Sequence, residues 1–262
     1  MPYSAIRFAR EGAVARVTLA RPDAANALNP DMAHELLEVA QLCRDDPGVR
    51  AVILDAEGKV FCAGGDVMEF AAAGDRLSAE LDRLIGIFHP AVETLCTLNA
   101  PVIAAVQGVA AGAGLSLLSA CSLVVASSTA LFTMAYTGIG LTPDGGATYF
   151  LARQLGLRKA EELMITNRRL DADTALAWGL VNEVVAPEQL QPRVAALAAQ
   201  LAGGATAAYG AVRRMLLESS RNGLHEQLAL EQRNMVAAGA SRDGLAGVAA
   251  FRAKTRAEFR GS

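Results

Sequence analysis

A chain of 262 residues with 24 Lys and Arg against 27 Asp and Glu has a formal net charge of −3 and no global basic field, which argues against nucleic acid as a partner. Its residues are 52% hydrophobic and only 5% aromatic, so a sizeable aliphatic core of Ala, Leu and Val can form one large domain, or one domain plus an appendage, without disulfides. Cys43, Cys62, Cys96 and Cys121 lie far apart in apolar settings and read as reduced core thiols; the opening residues lack the apolar segment of a signal peptide, and no apolar run reaches the ~18 residues of a membrane span, so the expectation is a cytoplasmic protein with no membrane partner.

In chain order, residues 6–8 and 14–19 read as paired strands across Arg10-Glu11-Gly12. Asn29 before Pro30 is an N-cap with proline at the first helical position, and Met32, Leu36, Leu37, Val39, Ala40 and Cys43 form the buried stripe of a helix that Asp46-Pro47-Gly48 ends. A strand at 49–54 follows. Residues 77–98 form a long helix that Pro90 is expected to kink or restart. Strands at 122–126 and 130–133 come next, then two short helices separated at Gly156. Asp171 caps a further helix that Gly179 stops, and 181–185 is a last strand. From Pro187 only helical patterns remain, at 188–201, 206–219, 224–238 and 241–251. The expected architecture is α/β, with a core over residues 1–186 and a helical region over 187–262. That tail can either exchange contacts with a partner subunit or cap its own monomer.

Two stretches could carry chemistry. Residues 59–70, KVFCAGGDVMEF, pass from a short apolar strand into Ala63-Gly64-Gly65 and place Asp66 at the head of a helix. Residues 100–117, APVIAAVQGVAAGAGLSL, pass from a buried strand through Gln107-Gly108 into Ala111-Gly112-Ala113-Gly114 and then a helix whose apolar residues are Leu115, Leu117, Leu118 and Leu123. A tight turn before a helix start leaves backbone N–H groups free, and two that converge make an oxyanion hole. Close helix packing through small residues is the alternative.

The pattern F-C-A-G-G-D, followed by P-V-I-A-A-V-x-G-x-A-A-G-A-G, resembles the crotonase, or enoyl-CoA hydratase/isomerase, superfamily, and the likeness runs from Val14 to about Phe259. It implies a spiral of ββα units, a C-terminal all-helical oligomerisation region, and trimers that pair into hexamers. It further implies that Gly65 and Ala113 carry the two oxyanion N–H groups. The coenzyme A portion of a thioester substrate would lie against Ala63, Gly64, Gly65 and Asp66, and no separate cofactor is implied. Where the family often places a phosphate-binding lysine this chain has Met68. Phe251 and Lys254 match a pattern that reaches coenzyme A, usually from a neighbouring subunit; a solvated charge on a helix face is the alternative for Lys254.

The two glutamates of the hydratase branch fall here on Ser116 and Tyr136, so the paired-carboxylate addition of water has no carboxylates to use. One acid remains in the segment FTMAYTGIGLTPDGGATYF. Asp144, between Pro143 and Gly145-Gly146, is by itself an ordinary turn or helix-cap residue. The likeness to the enoyl-CoA isomerase and epoxyphenylacetyl-CoA isomerase type makes it a lone acid–base, its pKa raised by the apolar Ile139, Leu141 and Tyr136 around it. Tyr136 would then line the substrate site.

A hydratase (lyase) in which Asp144 alone activates water, an aryl-CoA dehalogenase that uses Asp144 as nucleophile with His89, and a non-catalytic acyl-CoA-binding protein are the other readings. Against dehalogenation stand Tyr136 in place of a tryptophan and Gly65 in place of an aromatic residue. His34 and His225 sit on helix surfaces and no ligand cluster suggests a metal. There is neither a G-x-G-x-x-G nor a G-x-S-x-G pattern.

Overall fold

The computed structural model describes residues 3–262. Strands β1 (Ile6–Glu11) and β2 (Val14–Leu19) pair antiparallel, and the turn between them uses Gly12 at φ +62°. Helix α1 (Pro30–Asp45) begins where its sequence asks it to: the Asn29 side chain accepts the Met32 N–H at 3.0 Å and proline fills the first position. There follow β3 (Ala51–Ala56), α2 (Val67–Ala73), α3 (Leu77–Thr97), β4 (Val102–Val106), β5 (Val109–Ala111) and α4 (Ala113–Ser119). The body closes with β6 (Leu123–Ser127), β7 (Leu131–Thr133), α5 (Ala147–Leu155), α6 (Leu157–Thr166), β8 (Leu170–Asp171), α7 (Ala172–Trp178) and β9 (Glu183–Val185). Beyond it lie α8 (Leu190–Ala202), α9 (Thr206–Glu218), α10 (Leu224–Ala240) and α11 (Arg242–Ala253).

Six strands form one sheet in the order β1-β2-β3-β4-β6-β9, all parallel beyond the first hairpin, and β5-β7-β8 form a small second sheet. The central strands β3 and β4 are apolar at every position but Asp55, because both faces are covered. Val52, Leu54, Val102, Ala104 and Val106 join the front core with α1 and α3, while Ala51, Ile53, Ile103 and Ala105 meet Val194 and Ala198 of α8 behind. Parallel strands require crossover connections, and the crossovers bring the chemistry-bearing turns to one end of the sheet.

Several local expectations change. Residues 59–62 are not a regular strand: Phe61 and Cys62 both donate to the Val109 carbonyl, and only Cys62 bridges, to Ala110. The partner in that bridge is β5, a three-residue strand inside what reads in the sequence as turn; Gly108, at φ +61°, brings its Cα close enough to Lys59 that a Cβ would lie 1.9 Å from the Lys59 carbonyl oxygen. Leu123 belongs to β6 rather than to the helix before it, since α4 ends at Ser119. Pro90 does not restart α3, which runs unbroken through it. A proline removes a single intrahelical bond, and the apolar face that α3 lays on the core, with Leu84, Phe88, Val92 and Leu95 buried, holds the helix on both sides of it.

All four cysteines are free thiols, and burial pushes Cys43 and Cys62 up to about 11 and Cys121 up to about 12. No helix among the described residues is long and apolar enough to cross a membrane.

Candidate active site

The first small turn is held from the side of residues 25–28. Ala63 donates to the Ala25 carbonyl at 3.1 Å, Leu28 donates to the Gly64 carbonyl at 2.7 Å, and Asp66 donates to the Leu28 carbonyl at 2.9 Å. Asn26, fully buried at φ +53°, anchors that stretch in turn by donating to the carbonyls of Glu57 and Val60. With its neighbours so engaged, the N–H of Gly65 donates to no acceptor among the described residues. In the second turn Ala111 donates to the Cys62 carbonyl at 2.8 Å and Gly112 to the Thr133 carbonyl at 3.1 Å. Ala113 opens α4, so its N–H has no acceptor within the helix and finds none outside it among the described residues.

The two turns touch. A Cβ placed on Gly112, at φ +50°, would lie 3.3 Å from Gly64 Cα, and one on Gly114 would lie 2.6 Å from the Cys62 side chain. Close packing and a pair of free amides are therefore not alternatives in this chain: the same small residues supply both.

Ala63, Gly64, Gly65, Gly112 and Ala113 line one cavity of about 220 Å³ together with Tyr136 and Asp144. Apolar side chains from α2 and α3 (Phe70, Leu81, Leu84, Ile85) and from the loop before Asp144 (Ile139, Leu141) close much of the rest. Asp144 is aimed inward by its loop: Gly145 and Gly146 both take positive φ, and a Cβ on Gly145 would collide with Phe88 and Ser116. The backbone does make the turn its sequence suggests, with Ala147 donating to the Asp144 carbonyl at 3.1 Å. The carboxyl caps no helix. Its Oδ1 accepts a hydrogen bond from the Tyr136 hydroxyl, and that hydroxyl lies 3.2 Å from Ser116 Oγ, which itself donates to the Gly112 carbonyl.

The electrostatics follow from this burial. Loss of water raises the Asp144 carboxyl above its ordinary value, against the lowering effect of the Tyr136 hydrogen bond and of nearby His89. Burial, with Asp144 beside it, also raises the Tyr136 phenol, so the tyrosine stays a proton donor. Asp144 is the single carboxylate among the residues lining the cavity.

Other sequence candidates lie elsewhere. Asp66 caps α2 and pairs with Arg21 at 3.0 Å, so its carboxylate is engaged within the protein and does not line the cavity. Met68 on α2 and Phe251 on α11 are 80% and 87% exposed, Lys254 is exposed at the end of α11, and none of the three reaches the cavity of its own chain. His89 is exposed, and its Nε2 accepts the Gly145 N–H at 3.1 Å. Among the described residues no cluster of His, Cys, Asp and Glu could hold a metal ion.

The Ser116–Tyr136–Asp144 chain escapes a sequence reading. The three residues sit on α4, on the turn after β7 and on the loop before α5, and they meet through tertiary contacts that include the pairing of β5 with β7.

Comparison with known proteins identifies the family and the fold. The profile of the enoyl-CoA hydratase/isomerase family matches residues 9–262. A 1,2-epoxyphenylacetyl-CoA isomerase of Escherichia coli strain K12 is 35% identical over 252 residues, 96% of each chain. A 4-chlorobenzoyl coenzyme A dehalogenase-2 of an Arthrobacter species is 34% identical over 225 residues, 86% of this chain and 82% of that one. The crystal structure of an enoyl-CoA hydratase from Polaromonas sp. JS666 superposes with a TM-score of 0.93 at 36% identity, over 98% of this chain and all of that one. The chain belongs to the enoyl-CoA hydratase/isomerase family and has the crotonase fold. It is an enzyme of a family that acts on acyl-CoA thioesters.

The raised pKa of Asp144 has a consequence for stability. A group whose pKa is higher folded than unfolded stabilises the fold at low pH and loses that contribution as pH rises through its folded pKa. Asp144→Asn, which keeps an acceptor for Tyr136 but no charge, is expected to gain thermal stability relative to the wild type as pH rises from the ordinary aspartate value of 3.8 towards neutrality. Parallel melting curves of the two proteins across that window check it; a difference that stays flat or shrinks with rising pH contradicts it.

Proposed function

We propose that the protein is an enoyl-CoA isomerase that moves a carbon–carbon double bond by a 1,3-proton shift, with Asp144 as its one acid–base. The observation that carries this reading is a single carboxylate of raised pKa in an apolar cavity that it shares with two backbone N–H groups lacking protein acceptors. A 3-enoyl thioester would rest its carbonyl oxygen between the N–H groups of Gly65 and Ala113. Oδ1 of Asp144 is held by Tyr136, which leaves Oδ2 to take a proton from the carbon next to the carbonyl. The electron pair delocalises over the thioester and the former double bond as a dienolate. Its charge on oxygen is stabilised by the two amides, each worth about 3 kcal/mol in an oxyanion hole. The same carboxyl then returns the proton to the far carbon, and a 2-enoyl thioester leaves. Atoms balance within the substrate, and water is not consumed.

The apolar wall from Phe70 to Ile85 and from Ile139 to Leu141 suits an acyl chain and keeps water away from the dienolate. Ser116 and Tyr136, standing where the hydratase branch has glutamates, favour proton transfer over addition of water. His89, engaged with the Gly145 N–H, supports the isomerase reading over dehalogenation.

The coenzyme A moiety would pass over Ala63 and Gly64 towards Phe251 and Lys254 of a neighbouring subunit, within a homotrimer or a hexamer made of two. The support is the apolar surface of the C-terminal helices. No residue of α10 is buried, and Leu224, Leu228, Met235, Val236, Val248 and Phe251 are all exposed.

Three outcomes are expected. Offered crotonyl-CoA and a 3-enoyl-CoA and followed by absorbance, the enzyme turns over the second alone, and Asp144→Asn lowers that rate by roughly 10²- to 10⁴-fold; an intact rate in the variant removes Asp144 as the base. Tyr136→Phe deletes the hydrogen bond that holds the carboxyl pKa down, so the acidic limb of kcat/KM moves to higher pH; an unmoved or lowered limb contradicts the role given to Tyr136. Light scattering on the eluting protein yields three or six chains, and Leu228→Asp shifts the population to smaller species, whereas a wild-type monomer excludes the subunit arrangement.

A further inference from the structure

A second cavity, about 480 Å³, opens on the far side of α4 and α5 from the first. It is walled by α5, by α9, by the C-terminal end of α3 and by residues 119–123, which lead into β6. Leu98, Leu123, Phe150, Leu201 and Leu217 make it apolar, and its lining includes neither Asp nor Glu. Two arginines, Arg153 and Arg213, do line it.

Arg213 is the unusual one. Its guanidinium is partly buried, donates through Nη1 to the Leu95 carbonyl at 3.0 Å and through Nη2 to the Ala120 carbonyl, and has no Asp or Glu partner among the described residues. Those two carbonyls lie at the C-terminal ends of α3 and α4, where helix dipoles offer partial negative charge but no full counter-charge. Burial accordingly pulls the guanidinium below its ordinary pKa. A cation drawn into an apolar cavity without an acid is costly unless something brings the missing charge. Arg153, stacked 3.6 Å from the centre of the Tyr149 ring and bonded to the Tyr149 carbonyl, adds positive charge to the same wall and cancels none.

We infer that this cavity is a binding site for a singly charged anionic amphiphile, a free medium-chain carboxylate whose head meets Arg213 and whose chain lies along Leu98, Leu123 and Leu217. A monoanion balances one guanidinium, and three of the five guanidinium N–H groups remain to receive it. Its volume lies in the range of small-molecule sites. At about 30 Å³ per heavy atom, the share a water molecule takes in the liquid, the cavity has room for roughly sixteen heavy atoms, which accommodates the carboxylate and chain of decanoate. The site is separate from the thioester cavity and does not depend on the reaction assigned there.

Calorimetric titration of the intact protein with decanoate, decanol and decylammonium tests it. Decanoate is expected to bind saturably at one per chain, roughly tenfold to a hundredfold more tightly than decanol, the margin of a hydrogen-bonded charge, and decylammonium more weakly than either. Arg213→Met brings decanoate down to the affinity of decanol. Val212→Trp, placed at the half-exposed mouth, abolishes decanoate binding with the circular dichroism spectrum unchanged, and decides the matter if the first variant does not fold. Absence of saturable decanoate binding overturns the inference, as when a neighbouring copy of the chain already fills the groove. Equal affinity for acid and alcohol overturns it, and so does decanoate binding indifferent to the substitutions.

Discussion

Everything at the candidate site rests on the contact between two backbone turns at Gly64 and Gly112. A Cβ on either would meet the backbone of the other turn at 3.3 Å, and both glycines take positive φ, so a side chain at either position is strained. The hydrogen bond from Ala111 to the Cys62 carbonyl, the bridge from Cys62 to Ala110 and the seating of Gly114 on Cys62 are three views of one close packing. Because each turn spends its other donors on structural carbonyls, the two left over face a common space. Preorganisation of this kind is set when the chain folds and needs no rearrangement when charge develops on a bound oxygen.

Against that fixed pair the rest of the cavity sets the chemistry by subtraction. Positions that could have held acids hold Ser116 and Tyr136, and the one carboxyl that lines the cavity, that of Asp144, is half-buried. Burial of the carboxyl raises its pKa, and against that the Tyr136 hydrogen bond steadies Oδ1 and lowers it. In the proton shift proposed above, a carboxyl so placed would take a proton from one carbon and, held at Oδ1, return it to a second carbon nearby.

The helices after β9 divide by what they cover. Helix α8 is part of the core, closing the rear of the sheet through Val194 and Ala198. Helix α9 lies over the second cavity and places Arg213 in it. Helices α10 and α11 expose apolar residues that their own chain leaves uncovered. Since α4 and α5 separate the two cavities, the same short elements that carry Ala113 and follow Asp144 also form the wall against Arg213.

Local interactions were legible in the sequence because the residues that make them are neighbours along it. Asn29 with Pro30, Asp171 before α7, Gly179 after it and the unbroken apolar run of β4 all follow from rules of caps, turns and faces. The small triplets and the lone Asp144 were equally visible, because a residue type missing from its expected place, as at Ser116, is a local fact. What depends on pairing between distant segments was not. The strand β5 hides inside a run of small residues, since three residues give no periodicity and only the partners Cys62 and Phe132 make it a strand. The Ser116–Tyr136–Asp144 chain and the carbonyl-bound Arg213 exist only once helices far apart in sequence are packed together. Tertiary structure decided these because burial, unlike propensity, is a property of the whole fold: it alone determines which charges lose their water and which donors lose their partners.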